Sequence, residues 1–322
     1  EKTKGLILLH DLLPNIDFSQ GDRWVDINPI QMWNGKNWTD VSKLYIQPKK
    51  SCLKIKTKRG FTLVGSTNHL VKGINNINQN CNIVWKKYNE LKVGDSICIS
   101  RSTPEWSNIN NNESHLIGLL LGDGCLSVTS PGFTLVSGDD QILDYCVLRG
   151  AKLSNKQKTT AKVARFSKQY SESLISTFNL KRGLSYTKEI PSVILQDKEC
   201  LKACIQGLFD TDGYISTKRL KIGYTSVSYK MAKQVHLALS LFGVVSSLLE
   251  HKTKSPFGRC YTINITGKDC QIFRDQIGFR LIRKQSLLNN HLINIVFNSN
   301  LDVIPGAINK LARIRSNIYL PK

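Results

Sequence analysis

Two stretches of this chain repeat one another. Leu116–Ser127 reads LIGLLLGDGCLS and Ile205–Ser216 reads IQGLFDTDGYIS, with Asp123 and Asp212 in register (212 − 123 = 89 residues). Each opening is followed in the same order by strands, a helix, more strands and a helix, judged by apolar periodicity. Each copy then reaches a lysine, Lys188 in TKEIP and Lys284 in IRKQS. A duplication of this size restricts the region to two similar α+β halves related by a pseudo-two-fold axis.

The repeat begins after Ser107–Asn112 (SNINNN), a polar run that favours turns and offers nothing to a core. Four parts are expected: a mostly β region over 1–106, one repeat over 113–198, the other over 199–296, and a tail over 297–322. In the first part, Leu53–Thr57 and Phe61–Val64 alternate around Arg59-Gly60 as a hairpin does. Trp33–Trp38 brackets a second turn in which Asn34-Gly35 supplies the positive-φ positions. Gly73–Asn82 reads as a long surface loop. Beyond the break, helices are expected at 113–122, 140–151, 170–178, 199–210, 228–242 and 269–278. Short strands fall between them at Phe133–Ser137, Val163–Ser167, Leu220–Thr225 and Tyr261–Ile265.

The helix ending at Asp123-Gly124 carries Gly118 and Gly122 on one face, and the second copy has Gly207 and Thr211 there. Small residues four apart let two helix backbones approach closely, with Leu119, Leu120, Leu208 and Phe209 filling the flanks. Such a crossing brings Asp123 and Asp212 together, with Gly124 and Gly213 turning each chain out into a strand. A carboxylate at a helix C-terminus opposes the dipole, so a repeated acid there points to a divalent cation that restores the balance. Oxygen ligands suit Mg²⁺, which also bonds phosphate oxygens and promotes phosphodiester hydrolysis. Lys188 and Lys284 would polarise the attacking water or neutralise charge on the phosphate.

The charge agrees with a polyanionic partner. The 45 Lys and Arg outnumber 24 Asp and Glu, a net +21. Arg149–Lys188 is the densest stretch, with ten basic residues against Glu172 alone. Cations placed near phosphates release condensed counterions. No apolar run approaches the roughly 18 residues of a membrane span. Nine cysteines without a CxxC pair or zinc-ligand spacing fit a reduced, intracellular protein.

LIGLLLGDG and IQGLFDTDG resemble the paired motifs of single-chain LAGLIDADG homing endonucleases of the intein-encoded type. The resemblance covers roughly 113–290. It implies two αββαββα subdomains whose curved antiparallel sheets straddle double-stranded DNA in the major groove. It further implies metal-dependent cutting of both strands across the minor groove, leaving 3′ overhangs, by a monomer with Mg²⁺ or Mn²⁺. The metal set it implies is Asp123 and Asp212 with their neighbours Gly122 and Thr211, and its active-site lysine matches Lys188. Lys284 is the counterpart in the second half, with Arg283 beside it as a rival. Leu121 replaces the first acid of the first motif, whereas Asp210 keeps it in the second.

Residues 1–106 resemble the Hint domain of protein-splicing elements. GSTNHLV, with Ser66 and His69, is similar to the block whose histidine assists the first acyl shift, and WKKYNELKVGDSICI to the segment after it. KGLILLHD resembles the strand that follows the splice-site nucleophile, and Leu301–Gly306 a segment that precedes the last Hint strands. With Glu1 first and Tyr319-Leu320-Pro321-Lys322 last, no junction nucleophile or cyclising Asn is present, so splicing is not expected of the chain as written.

Alternate side chains of a strand laid in the major groove face the bases. The expected contacts are Ser127, Thr129, Thr134, Lys162 and Arg165 from one half, and Ser216, Lys218, Lys221, Tyr224, Lys252 and Arg259 from the other. Lys152, Lys156 and Lys158 are assigned to phosphate, and Lys49, Lys50, Lys54, Lys56, Lys58 and Arg59 to an extension of the DNA contact. Two other classes fit the pattern less well. One is a non-catalytic nucleic-acid binder, either an RNA-splicing cofactor or a regulator. The other is a splicing element carrying the nuclease as a passenger.

Overall fold

The computed structural model describes residues 1–297 except 8–11, 14–16, 18–20, 49, 75–81, 102–104, 107–111, 127, 128, 130, 157, 158, 254–257, 294 and 296. Ser127, Lys49, Lys158, Leu301–Gly306 and nearly all of the expected tail therefore lie outside the described residues, as does most of the SNINNN break.

Among the described residues, the N-terminal region forms three two-stranded antiparallel sheets. They pair β1 (Arg23–Trp33) with β2 (Trp38–Ile46), β3 (Cys52–Lys56) with β4 (Thr62–Ser66), and β5 (Leu70–Ile74) with β6 (Ile83–Lys87). The turn between β3 and β4 places Gly60 at φ +89, which only glycine adopts without strain. In the β1–β2 turn only Gly35 takes a positive φ. Asn34 instead accepts the Lys36 and Asn37 N–H groups on its side-chain oxygen, both at 2.9 Å, an Asx turn.

The repeats follow with matching order. The first runs α1 (Ser114–Gly122), β7 (Gly124–Cys125), β8 (Thr134–Ser137), α2 (Asp140–Val147), β9 (Lys152–Asn155), β10 (Lys162–Arg165), α3 (Lys168–Phe178) and the short α4 (Ser192–Leu195). The second runs α5 (Lys198–Thr211), β11 (Gly213–Ile215), β12 (Lys221–Ser226), α6 (Tyr229–Leu241), β13 (Ser247–Lys252), β14 (Arg259–Thr266), α7 (Lys268–Gln276) and α8 (Ile282–Leu292). The sheets are ordered β7-β8-β10-β9 and β11-β12-β14-β13, antiparallel throughout. Asp139, Ser167, Asp197 and Ser228 each cap a helix N-terminus with a side-chain oxygen.

One face of each sheet packs under its helices. Leu135 and Ala164 are fully buried in the first, Ile222, Ile263 and Ile265 in the second. The opposite faces are open. Besides the four-residue α4, three elements escape the periodic reading, for physical reasons. β9 is an edge strand with every residue exposed, so it has no alternation to detect. β13 is half-buried only at its first two residues and exposed beyond them. In α8 only Lys284 and Leu288 are buried, and a buried lysine breaks the apolar pattern.

The β3–β4 turn docks on the second repeat. Leu248 N–H donates to the Arg59 carbonyl at 3.0 Å, and the Phe61 ring lies 4.2 Å from that of His236. His236 is buried, paired through Nδ1 with the Ser246 hydroxyl at 2.8 Å. Burial pushes its pKa down to about 4 from an ordinary 6.5. The unfolded chain thus takes up this proton first, and stability is lost as pH falls from 6.5 towards 4. The loss from this group is about 3 kcal/mol at 1.36 kcal/mol per pKa unit. His236→Gln should lack it, so urea unfolding of variant and parent should converge by that amount at acid pH. A constant difference would contradict it. No described helix is long and apolar enough to cross a membrane.

Candidate active site

Helices α1 and α5 cross at backbone contact. A Cβ on Gly118 would stand 2.1 Å from the Cys204 carbonyl oxygen, and one on Gly207 2.4 Å from that of His115. At the C-terminal ends, a Cβ on Gly122 would meet Thr211 Oγ1 at 2.0 Å and Asp212 Oδ2 at 3.3 Å. The Asp212 carboxylate thus leans across to the other helix. Gly124 and Gly213 lead into β7 and β11 without a positive φ. They are required instead because a side chain would strike the preceding helical turn, at Leu120 O (2.3 Å) and Phe209 O (2.4 Å).

Asp123 and Asp212 end their helices and keep contact with solvent, yet protein crowds them. This desolvation raises both carboxyl pKa values. Asp212 is pushed up to about 6, with Asp123 adding to the shift and the two lysines opposing it.

The lysines sit directly behind. Lys188 Nζ donates to the carbonyls of Leu120, Leu121, Gly122 and Gly124 at 3.4, 2.8, 3.2 and 2.8 Å. Moving those four positions by the 89-residue repeat gives Phe209, Asp210, Thr211 and Gly213. Lys284 Nζ meets the carbonyls of those residues, at 2.8, 2.6, 3.3 and 2.5 Å. Arg283, beside it, turns away instead to Asp139 Oδ2 at 2.6 Å. Burial lowers the pKa of both lysines, Lys284 to about 8. Two ammonium groups thus already cap these helix ends, so the helix dipoles by themselves do not call for a further cation there, contrary to the expectation from sequence.

Asp210 is buried away from the open end. It binds His115 Nε2 at 2.9 Å and accepts the Leu281 N–H at 3.2 Å, tying α8 to α5. A cleft of about 390 Å³ opens beside Asp123, lined also by Asp139, Thr211 and Arg283. Among the described residues no three His, Cys, Asp or Glu side chains gather into a metal cage.

Strand parity sorts the expected DNA contacts. Thr134 and Arg165 face each other on the open side of the first sheet, with Cys125 and Lys152 beside them. Lys162 is one register position off, on the helix side, near Asp140 at 3.8 Å. In the second sheet Lys221 is on the open side, with Ser216 continuing the β11–β12 pairing; Lys218 is exposed in the turn. Tyr224 is 1% exposed and stacks on Phe209, because it lies three residues from Lys221 and so on the opposite face. Lys252 and Arg259 pair with each other on the side of Ile263, and Arg259 is bound to Glu250. Thr129 is exposed between β7 and β8, Lys156 beyond β9. Lys152 lies on a strand rather than in the expected loop. Counting in twos from Lys221 gives Gly223 and Thr225, and their cross-strand partners Tyr214, whose ring lies across Gly223, Asn264 and Thr262 complete the open-face residues missed.

His69 and Ser66 flank the β4–β5 turn. His69 N–H donates to the Ser66 carbonyl at 3.0 Å and its exposed ring stands edge-on to Tyr88 at 5.0 Å.

With this geometry in place, the chain can be set beside known proteins. Residues 199–278 match the model of the LAGLIDADG-like domain. The curated relatives include the replication factor C small subunit of Methanocaldococcus jannaschii, 29% identical over 87% of this chain and 15% of that protein. The replicative DNA helicase DnaB of Synechocystis is 26% identical over 94% of this chain and 36% of that protein. The ATP-dependent DNA helicase Hel308 of Methanocaldococcus jannaschii is 27% identical over 71% of this chain and 19% of that protein. The chain therefore spans only a part of each of these relatives. Among solved structures it is similar to I-DmoI in complex with DNA and Mn, with TM-score 0.38 and 17% identity over 52% of this chain and 95% of that one. Full-length DUF199/WhiA of Thermatoga maritima gives TM-score 0.38 and 15% identity over 65% and 69%.

Proposed function

We propose that this chain is a site-specific endonuclease that hydrolyses both strands of duplex DNA with a divalent cation, Mg²⁺ or Mn²⁺. The observation that carries the reading is the doubled helix end: an aspartate at the tip, a lysine on the same four carbonyls behind it, twice, 89 residues apart. The donor set suits a hard cation. Asp123 and Asp212 offer carboxylates, and Gly122 and Thr211 offer main-chain oxygens. Mg²⁺ is commonly held by one or two carboxylates and completes its shell with waters and substrate phosphates rather than a protein cage. When bound, such an ion stabilises charge on the phosphoryl group and activates water.

The chain's own residues do the rest. Lys188 and Lys284 hold positive charge behind the helix ends, where they would neutralise charge gathering on the phosphate. The open sheet faces offer Arg165, Lys152 and Lys221 to the duplex, with Tyr214 and Thr225 at base-facing positions.

The reading is tested by selecting bound duplexes from a random library and incubating them with the protein, with and without Mg²⁺. The expected product is a double-strand break with 3′ overhangs, formed only with the cation. Binding without a break at any selected site would leave a non-catalytic binder.

The pH response has a defined sign. Asp212, raised to about 6, is ionised above that value and neutral below it. A neutral carboxyl does not hold the cation, so cleavage at limiting Mg²⁺ should fall about tenfold per unit as pH drops below 6. A flat profile through that range would count against Asp212 as a ligand.

The intein-like origin belongs to the same proposal. Long stretches of this chain align within a replication factor and two different helicases while spanning 15%, 36% and 19% of them. One stretch shared by proteins of such different names supports a module inserted into hosts. A splicing role for His69 and Ser66 is tested by expressing the region between its native flanks and looking for ligated flanks.

A further inference from the structure

Each lysine caps a helix of its own repeat, but the segment that carries it is gripped by the other. Lys188 and Ile190 lie against α6 of the second repeat. The Ser228 hydroxyl donates to the Lys188 carbonyl at 2.6 Å. Ile190 N–H donates to Gln234 Oε1 at 2.8 Å, and Gln234 Nε2 donates to the Ile190 carbonyl at 3.1 Å. The start of α8 lies against α2 of the first repeat in the same manner. Gln141 Nε2 donates to the Arg280 carbonyl at 2.7 Å, Ile282 N–H donates to Gln141 Oε1 at 3.0 Å, and Arg283 donates to Asp139.

Both grips use a helix N-cap residue, Asp139 or Ser228, at equivalent repeat positions (228 − 139 = 89), and a glutamine on that helix. The glutamines are not equivalent, because Gln141 corresponds to Lys230. The same two-point amide clasp is therefore made from different places on the two helices. Its effect on catalysis follows from leverage. A clasp of two hydrogen bonds adds only modestly to stability. A shift of about 1 Å in a reacting group, by contrast, costs on the order of a hundredfold in rate.

We propose that Gln234 and Gln141 are positioning residues, Gln234 for Lys188 and Gln141 for Lys284, so that each cutting centre is completed by the opposite repeat and the two strand cuts are separable. The catalytic half of this statement rests on the nuclease reading; the anchoring half does not. Two readouts separate them. Reductive methylation with formaldehyde, mapped by mass spectrometry, reports the exposure of each lysine. A supercoiled plasmid carrying a duplex selected by wild-type binding, incubated with Mg²⁺, reports the two strand cuts.

Gln234→Ala should raise methylation of Lys188 several-fold and leave Lys284 unchanged. It should also accumulate nicked circle, with one strand cut at least about tenfold more slowly. Gln141→Ala should expose Lys284 instead and slow the opposite strand. Gln234→Glu, which keeps the acceptor for Ile190 N–H, should fall between parent and alanine variant. Both lysines gaining label together, neither gaining it, or both strands slowing equally would overturn the proposal. Selective labelling with no cutting by the wild type would sustain the anchoring and refute the nuclease.

Discussion

Replacing either Asp123 or Asp212 with asparagine should reduce double-strand cleavage by about a thousandfold, the rate equivalent of several kcal/mol of lost charge stabilisation. Binding to a selected duplex should change less than about tenfold, because most affinity comes from cations meeting phosphates over a long site. Asparagine keeps the shape of the side chain and its place at the helix end. It removes the charge. The variants should fold as the parent does, since neither carboxylate is among the buried groups that hold the repeats together. Gel-shift titrations alongside plasmid cleavage at saturating Mg²⁺ would check both halves of the statement. Retained cleavage in both single variants would remove these acids from the chemistry.

The second large effect is structural. Gly118→Ala adds one methyl group at 2.1 Å from the Cys204 carbonyl oxygen and 3.0 Å from Gly207 Cα. Both obstacles are backbone atoms of a helix, so no side chain can rotate away. Relief requires α1 and α5 to separate, and the expected cost is about 3 kcal/mol. Gly207→Ala meets the His115 and Gly118 backbones and should behave alike. Gly138→Ala, with nothing within 4 Å of the added carbon, is the control and should stay within about 0.5 kcal/mol of the parent. Urea midpoints for the three variants test the crossing directly. Equal stability of Gly118→Ala and Gly138→Ala would mean that the helices are not in backbone contact.

Much of the architecture was legible in the residues because it is written twice. The order of elements, the helix crossing and the acids at its end all follow from small residues at Gly118, Gly122, Gly207 and Thr211 with an aspartate after each pair. The residues on the open sheet faces were harder. A strand's charged and aromatic residues attract attention whichever way they point, and for Lys162, Tyr224, Lys252 and Arg259 strand parity overrides that chemistry. Fixing one buried residue per strand, such as Leu135 or Ile263, determines the rest. The clasps at Gln141 and Gln234 had no signal at all. A glutamine on a helix reads as a solvated side chain, and only tertiary geometry brings Ile190 or Arg280 to it. The three small N-terminal sheets were visible as hairpins, since turn chemistry at Gly35 and Gly60 is local, but nothing local states how hairpins assemble.

The exchange of supports between the repeats bears on how this chain is made. As it leaves the ribosome, α1 is complete at residue 122, yet the ammonium that satisfies its last carbonyls lies 64 to 68 residues downstream. The amide that steadies that ammonium lies further still, on a helix of the next repeat. A polypeptide halted at residue 197 would carry Lys188 without Ser228 and Gln234, which bind the segment that presents it. Separating the two repeats by gene splitting should therefore yield halves that regain their working geometry only on recombination.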